Sequence, residues 1–141
     1  PCSVINAGGT VSFENIDWLG CYQLKPYSIY DAACRFKRNM YINNSFMCLS
    51  FDVKKHLPIG KGGMILLDNK DALDWFRIMI FNGREEVPMG DKEPLMIGWN
   101  MYMEPEKAVR GLNLLNQISN KDHEDLIFDY PDLSKYKIYQ G

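Results

Sequence analysis

The sequence has few histidines and no closely spaced pair of cysteines. Only His56 and His123 are histidines, and the four cysteines at positions 2, 21, 34 and 48 show no C-x-x-C spacing. Structural zinc sites are usually built from closely spaced Cys and His ligands. The sequence therefore predicts no metal site, and it favours reduced thiols in a cytoplasmic protein.

A strong charge excess and long apolar runs are also missing. The 16 basic and 18 acidic residues leave a net charge of −2, which provides no field to attract nucleic acid or an anionic membrane. We interpret the short basic cluster of Arg35, Lys37 and Arg38 as a solvated face, with a local anion site as the alternative. No apolar run reaches the length of a membrane span, and the first residues do not resemble a secretion signal. We therefore expect neither nucleic acid nor a membrane as partner.

The apolar patterning predicts strands interleaved with helices. Residues 2–6, 28–30, 46–51 and 64–67 are expected to be strands, the last three of them buried. Helices are expected at 14–22, at 71–81 after a cap at Asp68 or Asn69, and from Pro105 onwards with Ala108, Leu112, Leu115 and Ile118 buried. This alternation predicts one α/β domain. After Asn120 the pattern weakens.

The connection between strands 46–51 and 64–67 combines lysines, a hydroxyl and glycines. It contains Ser50, Lys54 and Lys55 and ends in Gly60-Lys61-Gly62-Gly63. A lysine amine forms a Schiff base with an aldehyde, and hydroxyl and backbone N–H groups bind phosphate, so one segment could hold both ends of pyridoxal phosphate. The alternatives are a solvated turn and a nucleotide-binding loop, although the spacing is not that of a P-loop.

Asp31 is a second candidate for binding such a cofactor. It follows the predicted strand 28–30 and precedes Ala32 and Ala33, whose small side chains leave space beside it. A carboxylate at this position could pair with a protonated ring nitrogen. The alternative is an ordinary surface or helix-capping aspartate.

Four motifs together resemble the DegT/DnrJ family of pyridoxal-phosphate-dependent sugar aminotransferases. The resemblance extends over residues 28–115. It implies a partial fold-type-I PLP-transferase large domain, with a mixed sheet flanked by helices, over residues 1–120 and a C-terminal tail over 121–141. The motifs are Asp31-Ala32-Ala33, Ser50-Phe51-x-x-x-Lys55, Gly60-x-Gly62-Gly63 and Gly98-Trp99-Asn100-Met101-Tyr102-Met103.

The resemblance also implies a role for each site residue. Lys55 corresponds to the catalytic Schiff-base lysine, with Lys54 as its rival because chemistry does not separate two neighbouring lysines. Asp31 corresponds to the partner of the pyridine nitrogen, Ser50 to a phosphate-binding serine, and Asn100 to an asparagine that reaches the phosphate of the neighbouring subunit.

Ala33 and Cys34 would lie beside the cofactor ring. Three residues depart from the family pattern: Cys34 replaces a histidine or glutamine, Lys61 a glutamate, and Tyr102 an arginine. These departures affect the tuning of the cofactor and the binding of substrate, while the lysine and the aspartate are retained.

The implied activity is transfer of an amino group, from glutamate or a similar donor, to a nucleotide-linked keto sugar. Related members dehydrate sugars on the same scaffold, so a pyridoxal-phosphate-dependent dehydratase is one alternative. Another is a non-catalytic, split or truncated homologue that acts as a dimer scaffold. Because the chain resembles the second half of the large domain, we expect a homodimer or an assembly with a chain that supplies the first half.

Overall fold

Four strands form a mixed sheet in the order β1-β2-β3-β4. They are β1 (Tyr22–Gln23), β2 (Ile29–Asp31), β3 (Phe46–Ser50) and β4 (Gly63–Leu66). Strands β2 and β3 are parallel, whereas the other two pairs are antiparallel. This computed structural model describes residues 1–88, 90–118 and 122–140. The predicted α/β class with a mixed sheet is confirmed.

The core of the sheet follows from the alternation of side chains along β3. Met47 and Leu49 are buried on one face, while Phe46, Cys48 and Ser50 are half-buried on the other. This period of two is that of a strand with neighbours on both sides. The buried face joins a cluster with further apolar side chains, namely Ala32, Phe51, Leu57 and Ile59.

Strand β4 is less buried than its apolar sequence predicts. It lies at the edge of the sheet, and the side chain of Met64 is 51% exposed. An edge strand has a pairing partner on one side only, so its side chains receive less cover. The expected strand at 64–67 therefore exists at Gly63–Leu66, but its predicted burial is wrong.

Helix α2 (Lys70–Ile80) begins and ends close to its predicted bounds. The side chain of Asn69 accepts a hydrogen bond from the N–H of Ala72 at 2.9 Å, as an N-cap does. The helix is followed by two residues with positive φ, Asn82 at 59° and Gly83 at 75°. A Cβ at Gly83 would lie 1.7 Å from the carbonyl oxygen of Met96, so only glycine fits there.

Helix α3 (Pro105–Ile118) packs against the core cluster with a face that differs from the prediction. Leu114, Leu115 and Ile118 contact the cluster, but Leu112 is 62% exposed, so its predicted burial is wrong. The contact centres instead on Gly111, where a Cβ would lie 2.7 Å from Cδ1 of Ile59. Gly111 therefore lies on the face of α3 that meets the core, and the neighbouring Leu112 lies outside that face, since successive residues of a helix point in different directions.

The predicted helix at 14–22 is absent from the structure. Residues 14–18 are irregular, Leu19 forms an isolated bridge with Cys21, and Tyr22 enters β1. Gly20 explains the difference, because its φ of 69° is left-handed and incompatible with the interior of a right-handed helix. The predicted strand at 28–30 is present as β2, shifted by one residue so that it includes Asp31.

Residues 1–18 and 127–141 form a compact unit separate from residues 19–126. The first unit contains helix α1 (Cys2–Asn6) and two short 3-10 helices, Leu133–Lys135 and Lys137–Tyr139. The predicted strand at 2–6 is therefore wrong. Its backbone groups are satisfied locally, as in the bonds from Ile5 N to Pro1 O and from Ala7 N to Ser3 O, each 3.1 Å. Among the described residues, no helix is long and apolar enough to cross a membrane.

Candidate functional site

Asp31, at the end of β2, is held by two hydrogen bonds from different elements. The hydroxyl of Tyr22 on β1 donates to Oδ2 at 3.0 Å. The backbone N–H of Ala33 donates to Oδ1, also at 3.0 Å. One bond comes from the neighbouring strand and the other from the turn that follows Asp31, so the orientation of the carboxylate is fixed.

The half-buried face of the sheet continues from Asp31 to β3. In the parallel pair, Asp31 lies opposite Cys48. Burial raises the pKa of the Cys48 thiol, and the nearby charge of Asp31 raises it further. Ser50 lies two residues further along β3 on this face, and its Oγ accepts a hydrogen bond from the N–H of Asp52 at 3.3 Å. A carboxylate, a thiol and a hydroxyl therefore share one face.

The loop after β3 distinguishes the two lysines that the sequence left open. Nζ of Lys55 lies 3.4 Å from Sγ of Cys34, and the Lys55 side chain is half-buried. Lys54 is exposed, and its backbone N–H donates to Oδ1 of Asp52 at 3.1 Å. Of the two amines, that of Lys55 is therefore the one directed at the turn beside Asp31.

Glycines close this loop where the sequence predicts a turn. The N–H of Phe51 donates to the carbonyl of Gly62 at 2.9 Å, and that of Gly60 donates back to Phe51 at 3.1 Å. Gly60 and Gly62 have φ values of 117° and 131°, which residues with a Cβ rarely adopt. The glycine motif thus has a backbone explanation and needs no bound nucleotide.

Asp125 is a part of this region that sequence reasoning missed. Its carboxylate is only 3% exposed and pairs with both Arg35, at 2.7 Å, and Lys37, at 3.2 Å. The hydrogen bonds from Arg35 hold the pKa of Asp125 below its usual value, and Lys37 adds to the effect. The interpretation of Arg35 and Lys37 as a solvated face is therefore wrong. Local patterns carry no signal for a pair that is separated by 90 residues.

Residues 122–126 are fastened beside Cys34 by further bonds. The N–H of Leu126 donates to the carbonyl of Cys34 at 2.8 Å. Nε2 of His56 lies 2.8 Å from the carbonyl oxygen of Glu124. Cys34 contacts Nζ of Lys55, and His56 follows Lys55 in the chain. Residues 122–126 therefore support the surroundings of the Lys55 amine.

Asn100 lies on a different segment from the other candidate residues. It forms an isolated bridge with Phe81, and its side chain is exposed. The backbone on either side is held to the end of α2, with Trp99 N 2.6 Å from Met79 O and Met101 N 2.9 Å from Ile80 O. The structure thus brings Asp31, Ala33, Cys34 and Lys55 together and presents Asn100 on an exposed surface.

Within 1–88, 90–118 and 122–140, no three His, Cys, Asp or Glu side chains are grouped so as to hold a metal ion. The four cysteines are free thiols. The candidate residues themselves offer an amine, a carboxylate, a hydroxyl and a thiol.

An α/β sheet that presents such groups is a common framework for cofactor-dependent enzymes, and comparison with known families specifies the class. The model of the DegT/DnrJ/EryC1/StrS aminotransferase family matches residues 39–124. Because this match covers more than half of the 141 residues, the chain belongs to that family, which indicates an aminotransferase-type function. The predicted resemblance to this family is confirmed over residues 39–124, a range that does not include the Asp31-Ala32-Ala33 motif. No curated protein and no solved structure gives a significant match.

Proposed function

We propose that this chain carries the lysine-bearing part of a pyridoxal-5'-phosphate-dependent aminotransferase, which moves an amino group from glutamate to a nucleotide-linked keto sugar. One observation carries the proposal: Asp31 and Lys55 converge on the turn Ala33–Cys34. Oδ1 of Asp31 is 3.0 Å from the N–H of Ala33, and Nζ of Lys55 is 3.4 Å from Sγ of Cys34. A carboxylate and an amine that contact two adjacent residues suit the two ends of a pyridine aldehyde.

The side chains present fit the chemical groups of this cofactor. Its ring nitrogen calls for a carboxylate, its aldehyde for a primary amine, and its phosphate for hydroxyl and N–H donors. Asp31, Lys55 and Ser50 supply these groups, and the small side chain of Ala33 leaves room for a ring. When bound, pyridoxal phosphate supplies an electron sink that makes the Cα proton of an amino substrate removable.

The residues of the chain would then have separate tasks. Asp31 holds a proton on the ring nitrogen, because a negative charge favours the protonated form of that base. Nζ of Lys55 would accept the Cα proton of the amino substrate as a general base and give it up again as a general acid. Cys34, whose Sγ lies 3.4 Å from Nζ, would direct the amine towards the turn beside Asp31 before the cofactor binds.

The proposed partners follow from the exposed position of Asn100. Its amide would reach a phosphate group in the neighbouring subunit of a homodimer, so that two chains complete each site. A chain that supplies the first half of the large domain is the alternative partner. The substrates are an amino-acid donor and a nucleotide-linked sugar.

Covalent trapping tests the proposal directly. The protein is incubated with pyridoxal phosphate, reduced with borohydride, digested, and analysed by mass spectrometry for a modified lysine. We expect the modification on Lys55, its loss in Lys55→Ala, and its retention in the matched neighbour variant Lys54→Ala. Modification that persists in Lys55→Ala, or that is spread evenly over surface lysines, would overturn the assignment.

Turnover separates the aminotransferase from its alternatives. Glutamate should bleach the visible absorption of the complex of the native protein, and Lys55→Ala supplied with pyridoxal phosphate should convert glutamate at least about 100-fold more slowly, as expected for loss of a general acid–base group. A protein that forms the complex on Lys55, does not react with any amino donor and dehydrates a sugar would be the dehydratase. Absence of any complex in well-folded protein would favour the scaffold.

A further inference from the structure

Tyr22 makes the only side-chain hydrogen bond to Asp31 that the described contacts record. The two residues lie directly opposite each other in the antiparallel pair β1–β2. The Tyr22 hydroxyl is 3.0 Å from Oδ2 of Asp31, while the backbone of Ala33 holds Oδ1. Each oxygen of the carboxylate thus accepts one hydrogen bond, Oδ2 from the side chain of Tyr22 and Oδ1 from the backbone of Ala33.

The other polar groups around Asp31 do not duplicate this bond. Cys21, next to Tyr22, and Cys48, opposite Asp31, are thiols whose pKa values are raised, chiefly by burial and also by the charge of Asp31. The guanidinium of Arg35 opposes part of the effect at Cys21, but its own hydrogen bonds go to Asp125 and to the carbonyl of Leu19. Neutral thiols donate weakly, so the phenol is the strong side-chain donor beside this carboxylate.

We propose that Tyr22 is a positioning residue: its hydroxyl fixes the carboxylate of Asp31 in the orientation that meets the ring nitrogen of the cofactor. This inference rests on the proposed function. A carboxylate with one oxygen released can rotate about its terminal torsion, which is broad and has no deep minimum. Supporting hydrogen bonds of this kind commonly change the affinity or activity of a site by 10- to 100-fold.

Tyr22→Phe is the informative variant, because it removes the hydroxyl and keeps the ring. Its matched control is Tyr41→Phe, which also removes a tyrosine hydroxyl, one that donates to the carbonyl of Ser45 at 3.1 Å and interacts with Asp68 instead of Asp31. The measurements are the dissociation constant of pyridoxal phosphate and the pH dependence of the visible absorption of the complex. Thermal unfolding verifies that each variant is folded.

We expect Tyr22→Phe to weaken cofactor binding by about 10-fold or more and to shift the pH midpoint of the absorption, with Tyr41→Phe close to the native protein. The double variant distinguishes positioning from general support of the fold. In the Asp31→Ala background no carboxylate remains to be oriented, so Tyr22→Phe should then change binding by less than about two-fold. If Tyr22→Phe proves poorly folded, Tyr22→Gln, which keeps a donor, supports the proposal when its pH midpoint remains native.

The outcomes separate this inference from the proposed function. If the native protein forms no complex through Lys55, the proposed function is wrong and the role of Tyr22 falls with it. If the complex forms and Tyr22→Phe matches Tyr41→Phe, only the role of Tyr22 is refuted. The role of Tyr22 would also be refuted if Tyr22→Phe weakened cofactor binding equally with and without the Asp31 carboxylate. A shift of the pH midpoint of the absorption in Tyr22→Gln would refute it as well.

Discussion

Replacement of Asp125 by asparagine should destabilise the unit of residues 19–126 by about 2 kcal/mol at neutral pH. The carboxylate is 3% exposed, and Arg35 donates to it from Nε at 3.1 Å and from Nη2 at 2.7 Å. Hydrogen bonds to charged groups contribute about 1.5–3 kcal/mol each when a partner is lost. Asparagine keeps one acceptor oxygen, and Arg35 is 25% exposed and can be rehydrated. These two features limit the cost to about one such bond.

The pH dependence provides a second measure of the same interaction. Folding lowers the pKa of Asp125, mainly through its hydrogen bonds to Arg35. A carboxyl of this kind stabilises the fold above its unfolded pKa of about 3.9, and the contribution is lost as the pH falls through the lower, folded value. The difference between the native protein and Asp125→Asn should therefore be constant from pH 7 down to about pH 5 and shrink below about pH 4.

Urea denaturation followed by circular dichroism at several pH values measures this difference. The control is Asp122→Asn, which alters an exposed carboxylate three residues away and should change stability by less than about 0.5 kcal/mol. If Asp125→Asn behaved like the control at pH 7, the ion pair would not be a stabilising contact. A difference that persisted unchanged at pH 3 would show that its origin is not the charge.

Two further predictions concern the backbone and the thiols. Gly20→Ala should destabilise the protein by at least about 3 kcal/mol, because a left-handed φ costs about 1–2 kcal/mol and the new Cβ would also lie 2.2 Å from Cγ of Asp125. The control Gly8→Ala, at a position with φ +80° and open space, should show only the cost of the left-handed φ. Equal losses of stability in thermal unfolding would contradict the contact with Asp125. Towards a disulfide reagent at pH 8, the exposed Cys2 should react first. Cys48 and Cys21 should react far more slowly until the chain is denatured, because burial raises the pKa of each thiol. Peptide mass identifies the labelled cysteine, and fast labelling of Cys48 in native protein would show that its side chain is not sufficiently buried.

Local patterns predicted those elements whose signals lie within the element itself. Helix α2 has its cap at Asn69 and its stop at Gly83, and β3 has a clear alternation, so both were found within one or two residues. The predicted strand at 2–6 was wrong because a short apolar stretch suits either a strand or a helix. The predicted helix at 14–22 was wrong because it includes Gly20. A contact decided the outcome at Gly20, where the carboxyl of Asp125 leaves no room for a side chain.

The same distinction applies to the candidate site. The family resemblance of the motifs predicted Lys55, Ser50 and Asp31 as site residues, and chemistry left Lys54 open as a rival. The geometry that favours Lys55 is its contact with Cys34, 21 residues earlier in the chain. Tyr22 and Asp125 escaped notice because each acts through a partner on another element, and a single sequence does not record which elements become neighbours.

The ion pair between Arg35 and Asp125 also bears on the order in which the chain folds. A contact that spans 90 residues closes a long loop, and loop closure of this length is slow compared with the formation of helices and hairpins. During synthesis, Lys55 and Cys34 would leave the ribosome well before the segment that covers them. The surroundings of Lys55 are thus completed late, and until then the candidate site lacks its contacts with Glu124 and Leu126.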